Sequence, residues 1–466
     1  MVNTSDIGLS RVAIARAPRL RDALASLRSG GTTAYASTKL ALSRAEACKT
    51  CFNAFSIIDW DRALEAATES DRRYAAGCPR QLEGLPVAIK DIMDTRGIET
   101  RYGSQAYLGH VPDSDADVVK ALVDKGAILI GKTTTHEFAW GVTTSSTAFG
   151  DTLNPLDRRL IPGGSSGGAA AAIAAGVVAA GLGTDTGGSV RIPAALCGVT
   201  GFKPTLGVLP SRGIFPLAPT LDHPGIVGQS VDDIVILAEA YDISIPESDA
   251  WLSARLGVML GIPPVPAAPA VSTAFARAID RLGEVFTCQG VDPDNLFEGT
   301  YDAFASIVLT EGSIEHFRRN DETRIAKYYS QETRDRLSLA KDMAIRDYAA
   351  AQETRHRLIK KLQTEMSTMD YLVLPTCPCF APPLGAHSIA IENWSGTIRQ
   401  ALMSYTAPFN LSGFPAISLP LPAGNGVLPA AMQVVGRPGS DGALLKIALE
   451  MERLLQSTPS HSLPAA

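Results

Sequence analysis

Short apolar runs alternate with longer amphipathic segments along most of this chain. We predict buried strands where the apolar runs are brief, at residues 85–89, 128–130, 372–374 and 416–419. Segments whose apolar positions recur at helical spacing predict helices at residues 118–125, 268–287, 331–367 and 443–455. Alternation of the two kinds of element indicates an α/β fold built on a sheet.

The first part of the chain has the pattern of helices only. We predict helices through residues 7–80, with breaks at Gly30 and Gly31 and near Asn53. A long Ala-rich run covers residues 169–182, and it is shorter than the roughly 20 residues that span a bilayer. We therefore predict one buried helix there, beginning directly after Gly168.

A lysine stands inside an apolar run at residues 84–91. Lys90 follows Val87, Ala88 and Ile89, and an apolar environment favours a neutral lysine, which can act as a base. A strand-edge lysine that reaches solvent is the alternative for this segment alone.

A glycine-rich segment at residues 163–168 contains two adjacent serines, Ser165 and Ser166. Either could be a nucleophile or a proton relay. The segment also fits the G-x-S-x-G pattern of Ser-His-Asp hydrolases, which requires a buried strand running into the serine. Only Leu160 and Ile161 are available for such a strand, so the pattern disfavours that class.

A third segment, residues 183–194, places a serine behind two glycines. Its backbone N–H groups can converge on one point and form an oxyanion hole, predicted at Thr186, Gly187, Gly188 and Ser189. We predict that flanking polar side chains support this loop, namely Ser166, Thr184, Asp185 and Arg191; simple solvation is the alternative for the last two.

The three segments, in this order and at this spacing, resemble the amidase signature family. The resemblance implies that Ser189 is the nucleophile, Ser165 the bridging serine and Lys90 the base, with a cis peptide bond between Gly164 and Ser165. Further segments resemble family landmarks at residues 53–55, 131–139, 374–376 and 410–416.

The resemblance also implies one compact domain over residues 1–466, with a central mixed sheet flanked by helices on both sides. Within it we expect N-terminal helices (7–80), a catalytic core (84–215), a variable and mostly helical region that sets specificity (245–370) and a return to the core sheet (371–455).

Residues 126–133 match the phosphate-loop pattern G-x-x-x-x-G-K-[ST]. A phosphate cradle needs an irregular loop between the two glycines, whereas residues 127–130 read as a buried strand. We therefore expect no nucleotide site here.

Composition and charge narrow the class further. The net charge is −6 and the basic residues are dispersed, so we expect no nucleic-acid partner; no segment predicts a membrane span or a secretory signal. Seven cysteines without framework spacing indicate free thiols in the cytoplasm, with Cys48 and Cys51 as a less favoured redox pair. Dispersed histidines predict no metal, and we expect no cofactor.

The substrate is the least determined feature. Trp140, Phe149 and Tyr102 are candidates for an apolar pocket, with plain core positions as the alternative. The resemblance implies hydrolysis of a small amide, a carbamate (as in a urethanase) or a urea-like compound. We expect the protein to be a monomer or homodimer. The alternatives are the glutaminase subunit of a tRNA amidotransferase, which needs partner subunits, and an inactive binding protein.

Overall fold

The computed structural model describes residues 17–294, 296–423 and 427–457. Strands recur along all three ranges. In chain order they are β1 Phe55–Ile58, β2 Pro86–Lys90, β3 Ile128–Thr133, β4 Ala180–Asp185, β5 Thr200–Lys203, β6 His223–Gly228, β7 Arg255–Val258, β8 Thr287–Gly290, β9 Tyr371–Pro375, β10 Ser388–Ile391, β11 Trp394–Thr397, β12 Ala416–Pro420 and β13 Ala431–Val435.

Helices separate most of these strands. They are α1 Leu20–Ser29, α2 Ala34–Phe52, α3 Trp60–Ala75, α4 Asp117–Asp124, α5 Gly167–Ala174, α6 Arg191–Cys197, α7 Val231–Glu239, α8 Pro269–Leu282, α9 Thr300–Arg319, α10 Glu322–Tyr328, α11 Gln331–Lys341, α12 Ile345–Glu365, α13 Ile398–Ser404, α14 Pro408–Leu411 and α15 Asp441–Gln456. Single 3₁₀ turns lie at Gln105–Tyr107, Glu137–Ala139 and Ala250–Ser253.

One mixed sheet of 11 strands forms the centre of the molecule, in the order β1-β3-β2-β4-β6-β5-β12-β13-β9-β7-β8. Strands β3, β2 and β4 run parallel to one another, as do β9, β7 and β8, and the other neighbouring pairs are antiparallel. Helices flank the sheet on both sides, with α5 packed against β2, β4 and β6, and α6 against β5, β12 and β13. The predicted fold class is confirmed.

The Ala-rich segment 169–182 is not one helix, and this prediction was wrong. Helix α5 begins at Gly167 and ends at Ala174, and strand β4 begins at Ala180. Gly176 adopts a left-handed conformation with φ 75°, which ends the helix. Gly181 then packs against the neighbouring strand, because a Cβ there would lie 2.4 Å from the Ala88 carbonyl oxygen. The Ala-rich composition of the segment favours a helix, but its second half forms a strand because β4 pairs with β2.

Several other boundaries differ from the sequence pattern. Strand β1 lies within the segment predicted to be purely helical, and the predicted helix at 268–287 ends at Leu282, with β8 beginning at Thr287. The predicted helix at 331–367 is divided into α11 and α12. Residues 7–16 of the first predicted helix lie outside the described residues. Among the described helices, none combines the length and the apolar character needed to cross a bilayer.

Candidate active site

Lys90 is the last residue of β2, and its side chain is completely buried. Strand β4 runs parallel beside β2, so Lys90 and Thr184 reach the same edge of the sheet. Lys90 Nζ lies 2.8 Å from Ser165 Oγ and 2.8 Å from Thr184 Oγ1. Burial lowers the pKa of Lys90 to about 7, against the opposing effect of the Asp185 and Asp222 carboxylates. A lysine in this state can accept a proton near neutral pH.

Ser165 and Ser166 point in different directions from the loop before α5. The Gly164–Ser165 peptide bond is cis, as the resemblance implies. Ser166 Oγ donates to the Thr184 carbonyl oxygen at 3.2 Å and accepts from the Thr184 N–H at 3.3 Å. Ser166 therefore hydrogen-bonds the loop to β4, whereas the Ser165 side chain hydrogen-bonds Lys90.

Ser189 lies in the turn between β4 and α6 and is 4% exposed. Its side chain makes no hydrogen bond with any residue that the structure describes, Ser165 included. The Ser166 N–H donates to the Ser189 carbonyl oxygen at 3.1 Å, which ties the two serine loops together. The Ser189 hydroxyl is therefore free to meet a substrate.

The backbone of residues 186–189 offers fewer donors than the sequence suggested. The Gly188 N–H donates to Asp185 Oδ1 at 2.8 Å, so it is already occupied, and Gly188 does not fit its predicted oxyanion role. Within residues 17–294, 296–423 and 427–457, the N–H groups of Thr186, Gly187 and Ser189 have no acceptor. Three of the four predicted donors remain available for a developing negative charge.

Asp185 and Arg191 form a completely buried ion pair behind this turn, with Oδ1 and Nη2 2.9 Å apart. The Asp185 carboxylate also accepts from the N–H groups of Val190 and Arg191 at 3.2 and 3.3 Å. Burial alone would raise the pKa of Asp185, but the Arg191 guanidinium holds this pKa well below its ordinary value. The pair therefore fixes the backbone on both sides of Ser189.

Residues distant in the sequence complete this support, and their roles were not predicted. Asn410 Nδ2 donates to Asp185 Oδ1 at 2.9 Å, and Thr406 Oγ1 donates to the Gly187 carbonyl oxygen at 2.6 Å. Thr186 Oγ1 donates to Asp222 Oδ1 at 2.6 Å. Asn410 lies in a segment that resembles a family landmark, but no local pattern marks Thr406 or Asp222.

The three aromatic pocket candidates occupy different environments. Trp140 is buried and stacks on His316 with ring centroids 5.6 Å apart. Tyr102 is buried and donates its hydroxyl to Asp94 Oδ1 at 2.5 Å. Phe149 is half-buried beneath the Arg101 guanidinium, 5.7 Å from the ring centroid.

A small cavity of about 70 Å³ opens beside Thr184 and Thr186. Its wall is mostly apolar, and Asp222 and His223 contribute polar side chains; the other lining residues are Ala139, Ser211, Ile214, Phe215, Pro216, Leu217, Pro219 and Pro224. Burial raises the pKa of Asp222 to about 6. Tyr102, Trp140 and Phe149 do not line this cavity, so the structure does not bring the three aromatic candidates to it.

The phosphate-loop match at residues 126–133 lies mostly on β3. Lys132 is completely buried, and its ammonium donates to the hydroxyls of Thr95 and Thr100 at 2.9 and 3.0 Å. The lysine of the pattern is therefore engaged inside the core.

No histidine of the described residues hydrogen-bonds the side chain of Ser165, Ser166 or Ser189. His223 is buried with Nδ1 2.7 Å from the Leu221 carbonyl oxygen, and burial keeps its pKa well below the ordinary value. Among the described residues, no group of three or more His, Cys, Asp and Glu side chains is placed to hold a metal ion.

Known proteins resemble this chain over most of its length. A family model described as Amidase matches residues 36–445. The chain belongs to the amidase signature family. A glutamyl-tRNA(Gln) amidotransferase subunit of Chloroflexus aurantiacus is 33% identical, with 93% of this chain and 96% of that protein covered. The corresponding subunit of a Roseiflexus species is 34% identical over the same shares.

Solved structures of amidase signature enzymes share the fold. A crystal structure of an amidase, 33% identical, superposes with a TM-score of 0.88 over 94% of this chain and all of its own. A chain from a complex connected with the origins of an s-triazine catabolic enzyme is 31% identical, with a TM-score of 0.86 over 94% of this chain and 98% of its own. The glutamyl-tRNA(Gln) amidotransferase subunit of Thermotoga maritima is 29% identical, with a TM-score of 0.72 over 88% of this chain and 89% of its own.

Proposed function

We propose that this protein cleaves the C–N bond of a small-molecule amide through an acyl-enzyme on Ser189. The observation that carries the proposal is the hydrogen bond between the buried Lys90 and Ser165. In this mechanism neutral Lys90 draws the proton from Ser165, which draws the proton from Ser189 as the Ser189 oxygen attacks the carbonyl carbon.

The remaining steps use the turn around Ser189. The N–H groups of Thr186, Gly187 and Ser189 receive the oxyanion of the tetrahedral intermediate. The proton on Lys90 returns through Ser165 to the leaving nitrogen as the C–N bond breaks. Water then adds to the acyl-enzyme by the same relay, which releases the acid and restores the Ser189 hydroxyl.

We propose that the chain acts alone, on an aryl or alkyl amide, a carbamate or a urea-like compound. In support, its fold is closer to the crystallised amidase, with a TM-score of 0.88, than to the Thermotoga maritima amidotransferase subunit, with 0.72. Trp140, Phe149 and Tyr102 lie outside the described cavity beside Thr184, so we leave them out of the proposed pocket. We further propose a cytoplasmic monomer or homodimer, in keeping with the seven free cysteines among the described residues.

A second candidate is the glutaminase subunit of a tRNA amidotransferase. It is supported by the amidotransferase subunits that are 33–34% identical over 93% of this chain. Such a protein would release ammonia from glutamine together with partner subunits.

The deciding experiment supplies the purified chain alone with a panel of anilides, carbamates, urea-like compounds and glutamine. We expect hydrolysis of a small amide or carbamate by the wild type and none by Ser189→Ala. Glutamine hydrolysis that depends on added amidotransferase subunits, with no turnover of the small amides, would instead establish the second candidate. A protein that turns over nothing under either condition would contradict both.

A further inference from the structure

Two helices place side chains directly on the turn that contains Ser189. Met403 extends from α13 and Phe304 from α9, and both touch Gly187. A Cβ atom built on Gly187 would lie 2.3 Å from Met403 Cε and 2.4 Å from Phe304 Cζ. Residues that share a helix face with Met403 or Phe304 are therefore close to the site of reaction.

Arg399 and Tyr301 are two of the residues that share these faces. Arg399 precedes Met403 by four positions on α13, and Tyr301 precedes Phe304 by three on α9. Side chains at these separations lie one above the other, about one helical turn or 5 Å apart. Arg399 and Tyr301 also act on each other electrostatically, so the two side chains lie near each other.

Arg399 is a half-buried cation on α13. Across the described ranges it makes no hydrogen bond and no ion pair. Its neighbour Arg336 is different, because the Arg336 guanidinium donates to Glu332 Oε1 and to the Trp140 carbonyl oxygen. Burial and the charge of Arg336 lower the pKa of Arg399 to about 10.

The Glu332 carboxylate, which acts on Arg399 electrostatically, is already engaged by other groups. It accepts from the Arg336 guanidinium and lies 3.1 Å from His136 Nε2. A guanidinium that is partly desolvated beside a like charge gains most from an added carboxylate, which its planar N–H groups can bind in a bidentate manner. The Tyr301 hydroxyl, which has no hydrogen-bond partner among the described residues, could donate to the same ligand.

We propose that the substrate carries a carboxylate a few bonds from its scissile C–N bond, and that Arg399 binds this carboxylate. The enzyme is then selective for anionic amides over neutral amides of the same shape. This inference rests on the proposed function, whose cleavage chemistry it leaves unchanged.

The test compares matched substrates. Succinamate and glutaramate are each paired with the neutral amide in which an acetyl group replaces the carboxylate, 4-oxopentanamide and 5-oxohexanamide. For each pair the ratio of kcat/KM, anionic over neutral, is measured in the wild type, Arg399→Gln, Arg399→Lys and Arg346→Gln. Arg346 is the control because it is an exposed arginine on α12, at 88% side-chain exposure.

We expect the wild type to favour the anionic member of a pair, and we expect Arg399→Gln to reduce the ratio by about 30-fold or more. Arg399→Lys should retain part of the preference, because lysine keeps the positive charge. It should not retain all of it, because lysine lacks the paired N–H donors of a guanidinium. Arg346→Gln should leave the ratio unchanged. A wild type without anionic preference, or an Arg399→Gln protein with an unaltered ratio, would overturn the proposal, even if both substrates became slower.

Calorimetry separates this inference from the proposed function. Succinamate is titrated into Ser189→Ala and into the Ser189→Ala, Arg399→Gln double variant. If the wild type hydrolyses neither substrate pair, the proposed function fails for these amides. Binding that depends on Arg399 would still support the carboxylate site, and no binding, or equal binding by both proteins, would overturn it.

Discussion

Lys90 Nζ lies 2.8 Å from Ser165 Oγ, and neither side chain is exposed to solvent. In a neutral lysine the nitrogen can accept the Ser165 proton while one N–H donates to Thr184. Thr184 thus holds the lysine in the orientation that the proposed relay requires.

Loss of the Ser189 hydroxyl should abolish turnover. We expect Ser189→Ala to lower kcat/KM by roughly 10⁴-fold or more, because the proposed acyl-enzyme forms on the Ser189 oxygen. The measurement is steady-state hydrolysis of the best amide from the panel. Ser43→Ala, on the exposed side of α2, is the matched control and should keep full activity.

Lys90 and Ser165 should behave as one unit. We expect Lys90→Ala and Ser165→Ala each to lower kcat/KM by about 10³-fold, and the double variant to be little worse than either single variant. Circular dichroism should show that all three remain folded. Losses that multiply in the double variant would mean that the two residues act independently.

The pH profile should report a lysine of depressed pKa. Only the unprotonated relay is active, so kcat/KM should rise with pH along one limb near the Lys90 pKa of about 7. The Asp222 carboxylate raises that pKa, so Asp222→Asn should move the limb to lower pH. Asp124→Asn, which changes an exposed carboxylate at the end of α4, should leave the limb in place.

A histidine-driven mechanism would give a different result. Replacing His136, His223 and His387 together should leave the limb where it is. If the limb moves with the histidines while Lys90→Ala keeps most of the activity, the assignment of Lys90 as base is wrong.

The buried pair behind Ser189 should matter for stability as well as activity. Asp185→Asn leaves Arg191 buried without its countercharge, for which we expect a loss of about 3–5 kcal/mol in the free energy of unfolding. Denaturant unfolding measures this loss. Asp124→Asn, which breaks the exposed pair with Lys120, should cost under about 1 kcal/mol. Equal losses in the two variants would show that the Asp185–Arg191 pair has no special structural role.

The sequence alone predicts the position of a residue well where one short segment contains both that residue and the strand or turn that holds it. Lys90 at the end of a strand and Ser189 in a glycine turn are of this kind, and the predicted strands at 128–130 and 372–374 lie within β3 and β9. The Ala-rich segment 169–182 was misjudged because its composition suits a helix. Its second half becomes β4 only through pairing with β2 and β6.

The support around Ser189 was less predictable because it depends on distant contacts. Asp185 engages the N–H of Gly188, three residues away, and the side chain of Asn410, which lies far beyond it in the sequence. Glycine spacing in residues 186–189 suggests a set of donors, but it does not reveal that one of them already has an acceptor. Likewise, no local sequence pattern marks Arg399 as a candidate functional residue. It becomes one only because the fold packs Met403 of α13 against Gly187.

The most direct test of the central claim is the site and pH dependence of covalent labelling by a fluorophosphonate. We predict one label per chain, located on Ser189 by peptide mass spectrometry, at a rate that rises with pH through about 7 and falls sharply in Lys90→Ala. A label on Ser166, or a rate on Ser189 that does not depend on Lys90, would contradict the proposed relay.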